Sequence, residues 1–213
     1  LLYPFGYDYN QFTEDNEVFE SISSLLVQQN SYENILSSEL YPAAGDSDDF
    51  MYGMLTTENG GTRDKIFAMT PEIGSSFWPA AATIEDLCKE MLFLNLNAAR
   101  LVNNYATLNE ISSYTIEGLS FNSTYELQRL GISEPGDFSV TFVPVSDNIS
   151  SVESVNNYNQ LDLGETVEDS FSITLNSNIN VGDDVSYKLV LNNGAFDKEY
   201  QITKIFGEYS AIF

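Results

Sequence analysis

Lys65-Ile66-Phe67-Ala68-Met69-Thr70-Pro71-Glu72-Ile73-Gly74-Ser75-Ser76-Phe77-Trp78-Pro79 is the stretch on which the reading of this chain turns. Its opening, Ile66 to Met69, is an apolar run with the length and bulk of a buried strand. Thr70-Pro71 closes it, because proline has no N–H to give a central ladder. Glu72 follows at once. Its carboxylate is therefore expected at the rim of a sheet, where open α/β sheets place their ligand crevices. Gly74-Ser75-Ser76 reads as a turn, and Phe77-Trp78-Pro79 is expected to wall the crevice. A lone glutamate in such a place is more often a solvated loop carboxylate. The neighbouring sequence has to decide between the two.

Working back from this stretch, Glu58-Asn59-Gly60-Gly61-Thr62 is a turn-forming loop. Met51 to Met54 reads as a short helical turn. Pro42 to Phe50 is a loop that holds Asp46, Asp48 and Asp49 within four residues. Ile35 to Tyr41 is a strand candidate. Thr13 is placed to cap a helix whose first turn carries Glu14, Asp15 and Glu17, where the helix dipole favours negative charge. Val18, Phe19, Ile22, Leu25 and Leu26 give that helix its apolar face, and it is expected to stop near Asn30. Leu1 to Tyr9 reads as the end of a strand leaving a sheet.

Working forward, Thr83 is placed to cap a long helix, with Asp86 completing an approximate capping box. From Ile84 to Tyr105 the apolar positions form a face wide enough for a helix laid across a sheet. Cys88 lies on that face and reads as a small core residue. Near Thr107 the helical period ends. Tyr114–Phe121, Gly136–Val145, Ser170–Leu175, Val185–Leu191 and Tyr200–Phe206 are short apolar-polar runs separated by turn signals, the pattern of an all-β sandwich. The expected organisation is an α/β domain at 1–107 and an all-β sandwich at 108–213. Tyr114, Tyr125, Tyr158, Tyr187 and Tyr200 could stack on sugars, but such tyrosines are more often core or corner residues of a sandwich.

Composition narrows the chemistry. The 213 residues include 32 acidic and 8 basic side chains, a formal charge of -24. That surface repels phosphate backbones and anionic lipid, so neither nucleic acid nor membrane is an expected partner. There is no histidine, which excludes Ser-His-Asp and Cys-His catalysis and any histidine-ligated metal within these residues. Cys88 is the single cysteine, so no intrachain disulfide can form.

Four blocks, in order, resemble the C-terminal half of the zinc metallocarboxypeptidase catalytic domain. LLYPFGY at 1–7 is similar to the strand that follows the family's third zinc ligand. LYPAAGDSDDFMYG at 40–53 resembles its tyrosine-bearing specificity loop, and IFAMTPEIGSSFWP at 66–79 the strand that carries its catalytic glutamate. The helix from Thr83 matches the one that closes the domain. The resemblance implies a partial α/β/α sheet domain followed by a small β-sandwich. It implies Glu72 as the general base that takes a proton from zinc-bound water and passes it to the leaving amine. It implies Tyr41 as the phenol that meets the substrate near the scissile bond. Asp46, Ser47 and Asp48 fall where the family lines the pocket for the C-terminal side chain, and a carboxylate there would select lysine or arginine. A solvated acidic turn is the other reading of those three. Asp49 matches a structural acid.

The departures are as informative. The family's His-x-x-Glu pair, its distant histidine and its arginine clamp have no counterpart; Arg63, Arg100 and Arg129 match no clamp position. The chain is therefore expected to be a fragment of a secreted or periplasmic bacterial metallopeptidase that hydrolyses C-terminal residues from peptides. Zn2+ would belong to the full-length parent, and no metal is expected to be bound by this chain alone. Half a sheet exposes edges and apolar faces, so self-association or pairing with an N-terminal half is expected. The alternative is a non-catalytic carboxypeptidase-like scaffold with an adhesive sandwich.

Overall fold

The computed structural model describes residues 1–53, 60–62, 64–152 and 154–207. Met54, Glu58-Asn59 and Arg63, all named above, lie outside them. The chain divides into two compact units, Leu1–Arg100 and Leu101–Phe213.

The first unit is built on helix α1, Asn16–Leu26, whose apolar residues Val18, Phe19, Ile22, Leu25 and Leu26 are all buried. It starts later than Thr13 and ends before Asn30. Asp15 takes the N-cap position without making a capping bond. Its carboxylate is engaged elsewhere: it accepts the Tyr52 hydroxyl at 2.6 Å and the Lys65 ammonium. Burial, and then the bond to Asp15, push the Tyr52 phenol up to about 12. Burial pulls Lys65 down, but Asp15 and Glu14 outweigh it and hold the ammonium charged. Thr13 is buried with its hydroxyl unpartnered, so it caps nothing.

The sheet of this unit is much shorter than the sequence suggests. β1, Leu2–Tyr3, pairs in parallel with β2, Ile35–Leu36. The expected strand at 35–41 turns into helix α2, Ser37–Leu40. The expected strand at 65–70 is reduced to one antiparallel bridge, Leu2 to Thr70. The Ala68 N–H bonds Ile66 O at 2.8 Å, so that donor is spent locally rather than on a ladder. The run is not buried as expected: Ile66 is exposed and Phe67, Ala68 and Met69 are only partly buried. Phe67 and Met69 pack on the cluster of Tyr3, Phe19, Leu36 and Tyr52. Phe19 is the hub, stacked on Tyr3 at 5.9 Å and meeting Tyr52 edge-on at 5.4 Å.

Helix α3, Ser47–Gly53, starts inside the loop expected over Pro42–Phe50. The single helix expected from Thr83 is a 3-10 turn at Ala81–Thr83 followed by α4, Ile84–Glu90, and α5, Leu92–Leu101. The Thr83 hydroxyl donates to Ala80 O instead of capping. The wide apolar face is not covered. α4 buries no residue, Ile84, Leu92 and Leu96 are exposed, and Cys88 is exposed rather than in a core. Only a narrow stripe, Met91, Leu94, Asn97 and Leu101, is buried. The reason is the size of the sheet: two-residue strands cannot cover a face of that width.

The second unit is a two-sheet sandwich. Its strands are β3 Ala106–Glu110, β4 Thr115–Ile116, β5 Ser120–Arg129, β6 Phe138–Pro144, β7 Ile149–Val152, β8 Val155–Tyr158, β9 Thr166–Leu175, β10 Asp184–Asn192 and β11 Asp197–Phe206. One sheet has the order β4-β11-β10-β6-β8 and the other β3-β5-β9-β7. The 107/108 division expected from sequence falls inside β3. Inward residues of both sheets share one core, including Tyr125, Leu127, Val140, Phe142, Phe171, Ile173, Val185, Tyr187 and Leu189. Tyr125 and Tyr187 are fully buried in it and cannot stack on a ligand.

The buried cations and phenols of this unit are paired, as a low-dielectric interior requires. Lys204 on β11 lies 3.0 Å from the Glu110 carboxylate on β3 and also donates to Ser112 O and Ser113 O. The pair ties one sheet to the other. Tyr187 donates to Ser123 Oγ at 2.9 Å, and Tyr158 to Asp169 at 2.9 Å. Buried Arg129 donates to Gly131 O, Leu161 O and Ser133 O, holding the turn after β5.

Candidate functional site

Glu72 is positioned by the bridge just before it. Leu2 N–H donates to Thr70 O at 2.8 Å and Thr70 N–H to Leu2 O at 2.9 Å. Pro71 offers no donor, so pairing ends there and Glu72 leaves the edge exposed. Gly74 follows in the left-handed region at φ +76°, and a Cβ there would stand 3.3 Å from Leu87 on α4. The turn at 74–76 thus rests on the helix.

Two crevices of about 630 and 840 Å³ meet at this turn, and Glu72 lines both. The smaller is acidic, with Glu33, Asp86 and Glu90 beside Glu72. The larger is apolar, lined by Ile73, Phe77, Ile84, Leu87 and Met91. Phe77 therefore does wall a crevice. Trp78 lines neither and is 93% exposed. An exposed carboxylate at the mouth of an apolar crevice can accept a proton from a bound water or hold a cationic group.

The other residues singled out from sequence lie apart from these crevices. Tyr41 follows α2 in extended backbone, is 63% exposed, and lines neither crevice. Asp46 Oδ1 accepts the Asp48 N–H at 2.7 Å, which makes Asp46 a cap for α3. Ser47 is exposed. Asp49 accepts the N–H groups of Gly6 at 2.8 Å and Tyr7 at 3.0 Å, so it staples the N-terminal segment to α3, as a structural acid would. Asp48 differs from its neighbours. It is 3% exposed and its Oδ2 has no hydrogen-bond partner. Burial pushes its carboxyl up; the Thr70 hydroxyl opposes this, and Asp46 and Asp49 reinforce it. Asp48 thus stands beside Thr70, in the segment that carries Glu72.

Sequence reasoning did not anticipate Tyr32 and Glu33 as crevice residues. They sit in a polar stretch after α1 that has no periodicity to mark it, and Tyr32 donates to Glu90 at 3.3 Å. Among the described residues no group of three His, Cys, Asp or Glu could hold a metal ion. With no histidine in the sequence, the residues present do not fit a zinc site of His-x-x-Glu type.

No curated protein matches the chain. Among solved structures, the CsuC-CsuE chaperone-tip adhesion subunit complex of Acinetobacter baumannii aligns with a TM-score of 0.30 and 16% identity, over 49% of this chain and 57% of that one. A conjugative transposon lipoprotein of Bacteroides eggerthii aligns at 0.34 and 11%, over 48% and 97%. The VesB protease of Vibrio cholerae aligns at 0.30 and 10%, over 55% and 36%. This chain thus spans less than two thirds of the first of these, and at such scores none carries an argument. The family comparison is specific: residues 1–93 match the family model of zinc carboxypeptidases. That match spans the first three blocks quoted above and the start of the helix from Thr83, so residues 1–93 of this chain are similar to the zinc carboxypeptidase family.

Proposed function

We propose that this chain is the C-terminal half of a carboxypeptidase domain with its following sandwich, and that the parent removes C-terminal residues from peptides. The observation that carries the reading is the family match over residues 1–93, which includes Glu72 just past the Leu2–Thr70 bridge. Glu72 is assigned the role of general base, taking a proton from the attacking water and delivering it to the leaving amine. Tyr41 is assigned to contact the substrate near the scissile bond. Asp48 is assigned to the pocket for the C-terminal side chain. Its unpartnered, buried oxygen supports a preference for lysine or arginine, because a cation would satisfy it. No step is derived through zinc, since these residues do not supply its ligands. The donors are assigned to polypeptide upstream of Leu1, and the protein to a secreted or periplasmic bacterial setting. The chain by itself is expected to be inactive.

The test is Glu72→Gln in a protein that includes the upstream half. Loss of peptide hydrolysis by about a hundredfold or more with zinc content unchanged supports the assignment; normal turnover overturns it. A second reading, a non-catalytic scaffold, draws on the missing metal donors. An upstream sequence that also lacks His-x-x-Glu would favour it.

A further inference from the structure

The sandwich unit carries a cleft that the peptidase reading does not use. It has a volume of about 340 Å³ and its lining includes Asn104, Ser139, Asn157, Asn159, Asn192 and Asn193. The register of the five-stranded sheet explains why so many amides gather there. Asp197 pairs with Asn192, Asn192 with Ser139, and Ser139 with Asn157. These four residues form one row across β11, β10, β6 and β8. Their neighbours Leu191, Phe138, Val140 and Tyr158 are buried in the core. Strand residues alternate between faces, so the row stands on the outer face. With strands about 4.8 Å apart it runs for about 14 Å.

The hydrogen-bonding state of the row is uneven. Asn192 is fixed, donating to Asp197 at 2.7 Å and accepting from Gly194 N–H at 2.8 Å. Ser139, Asn157 and Asn159 make no side-chain hydrogen bond among the described residues. Asn104 donates to Asp137 O at 2.9 Å and Asn193 O at 3.3 Å, yet its own Oδ1 is buried without a donor. An orphaned buried acceptor costs about 1–3 kcal/mol unless something outside the chain supplies the proton.

These features select a ligand chemistry. Amides and a serine hydroxyl present donors and acceptors together, and a hydroxyl group answers both. No lysine or arginine lines the cleft, Asp137 does, and the whole chain carries a formal charge of -24. Anions are therefore repelled. The three members of the row that line the cleft, Asn192, Ser139 and Asn157, span about 10 Å, longer than one sugar ring. We propose that this cleft binds a neutral, hydroxyl-rich polymer, a polysaccharide segment laid across the strands with Asn157, Asn159 and Ser139 as its hydrogen-bonding partners. The proposal is independent of the reading of residues 1–93.

The test is calorimetric titration of the full chain with cellohexaose, chitohexaose and maltohexaose, and with a hexagalacturonate as the anionic counterpart. Saturable binding of at least one neutral hexasaccharide is expected, weakened about tenfold or more in Ser139→Ala/Asn157→Ala, a loss of about 1.4 kcal/mol. Asn159→Ala serves as a second variant, and thermal unfolding of each establishes that the fold is intact. The proposal is overturned if none of the three neutral probes binds. It is equally overturned if the hexagalacturonate binds more tightly than they do, or if the folded variants bind as the parent chain does.

Discussion

Ile173 and Ile84 are the same side chain in two different settings. Ile173, on β9, is 1% exposed in a core filled from both sheets of the sandwich. Ile84, at the start of α4, is 51% exposed. The contrast extends to the units that contain them. In the sandwich long strands pair with long strands, and the residues they turn inward meet the opposite sheet. In the N-terminal unit α1 has a filled apolar face, but α4 presents its own to solvent. Apolar surface left in water forgoes about 25 cal/mol per Å². A helical pattern therefore specifies a face without ensuring that the face is covered. Phe77 and Trp78, 95% and 93% exposed, belong to the same description.

The comparison can be broken most forcefully at Lys204. Replacing it with Met leaves Glu110 without its cation in a buried site, and the sandwich is expected to lose about 3–5 kcal/mol in denaturant unfolding. The double replacement Lys204→Met/Glu110→Leu is expected to recover most of that, because an apolar pair of similar volume has no charge to desolvate. Next comes Ile173→Ala, which opens a cavity in a closed core and is expected to cost about 2–5 kcal/mol.

Asp48 tests the N-terminal unit through pH. Its carboxyl is raised in the folded chain, chiefly by burial. The folded state then binds a proton that the unfolded state releases at ordinary carboxylate pH. Its contribution is fully present below that range and is lost as pH rises through the raised value. The N-terminal unit is thus expected to be more stable in mild acid than at neutral pH. Asp48→Asn should flatten that dependence in thermal melts across the range, leaving a remainder from Asp49, whose carboxyl burial also raises. The smallest effect is expected at Ile84→Ala, within about 0.5 kcal/mol, since the side chain is half in water already. A loss comparable to that of Ile173→Ala would mean that α4 is covered in solution.

Legibility in the sequence followed the same division. The helical face Val18, Phe19, Ile22, Leu25 and Leu26 was readable because every position is buried by the unit itself. β6, β9, β10 and β11 were readable because inward and outward residues alternate cleanly. β7 and β8 were not. Ile149–Val152 and Val155–Tyr158 are four-residue edge strands with half of their residues exposed, too short for either face to impose a pattern. β3 was hidden because Ala106–Glu110 follows directly on a helical pattern that runs to Tyr105. In the N-terminal unit, Ile35–Tyr41 and Lys65–Thr70 have strand composition but lack the partner strands that would extend a ladder, and local bonding took their place. The acid at Glu72 was legible from Pro71, which ends the pairing. The burial of Asp48 beside Thr70 was not, because it depends on contacts between distant segments.

Trp78 is the only tryptophan in the chain and stands almost fully in water beside the turn that carries Glu72. Its indole is therefore an intrinsic optical gauge of that ridge. An apolar surface that comes to rest over residues 77–78 is expected to shift its emission to the blue and shield it from soluble quenchers, so such occupancy can be followed by fluorescence in the unlabelled protein.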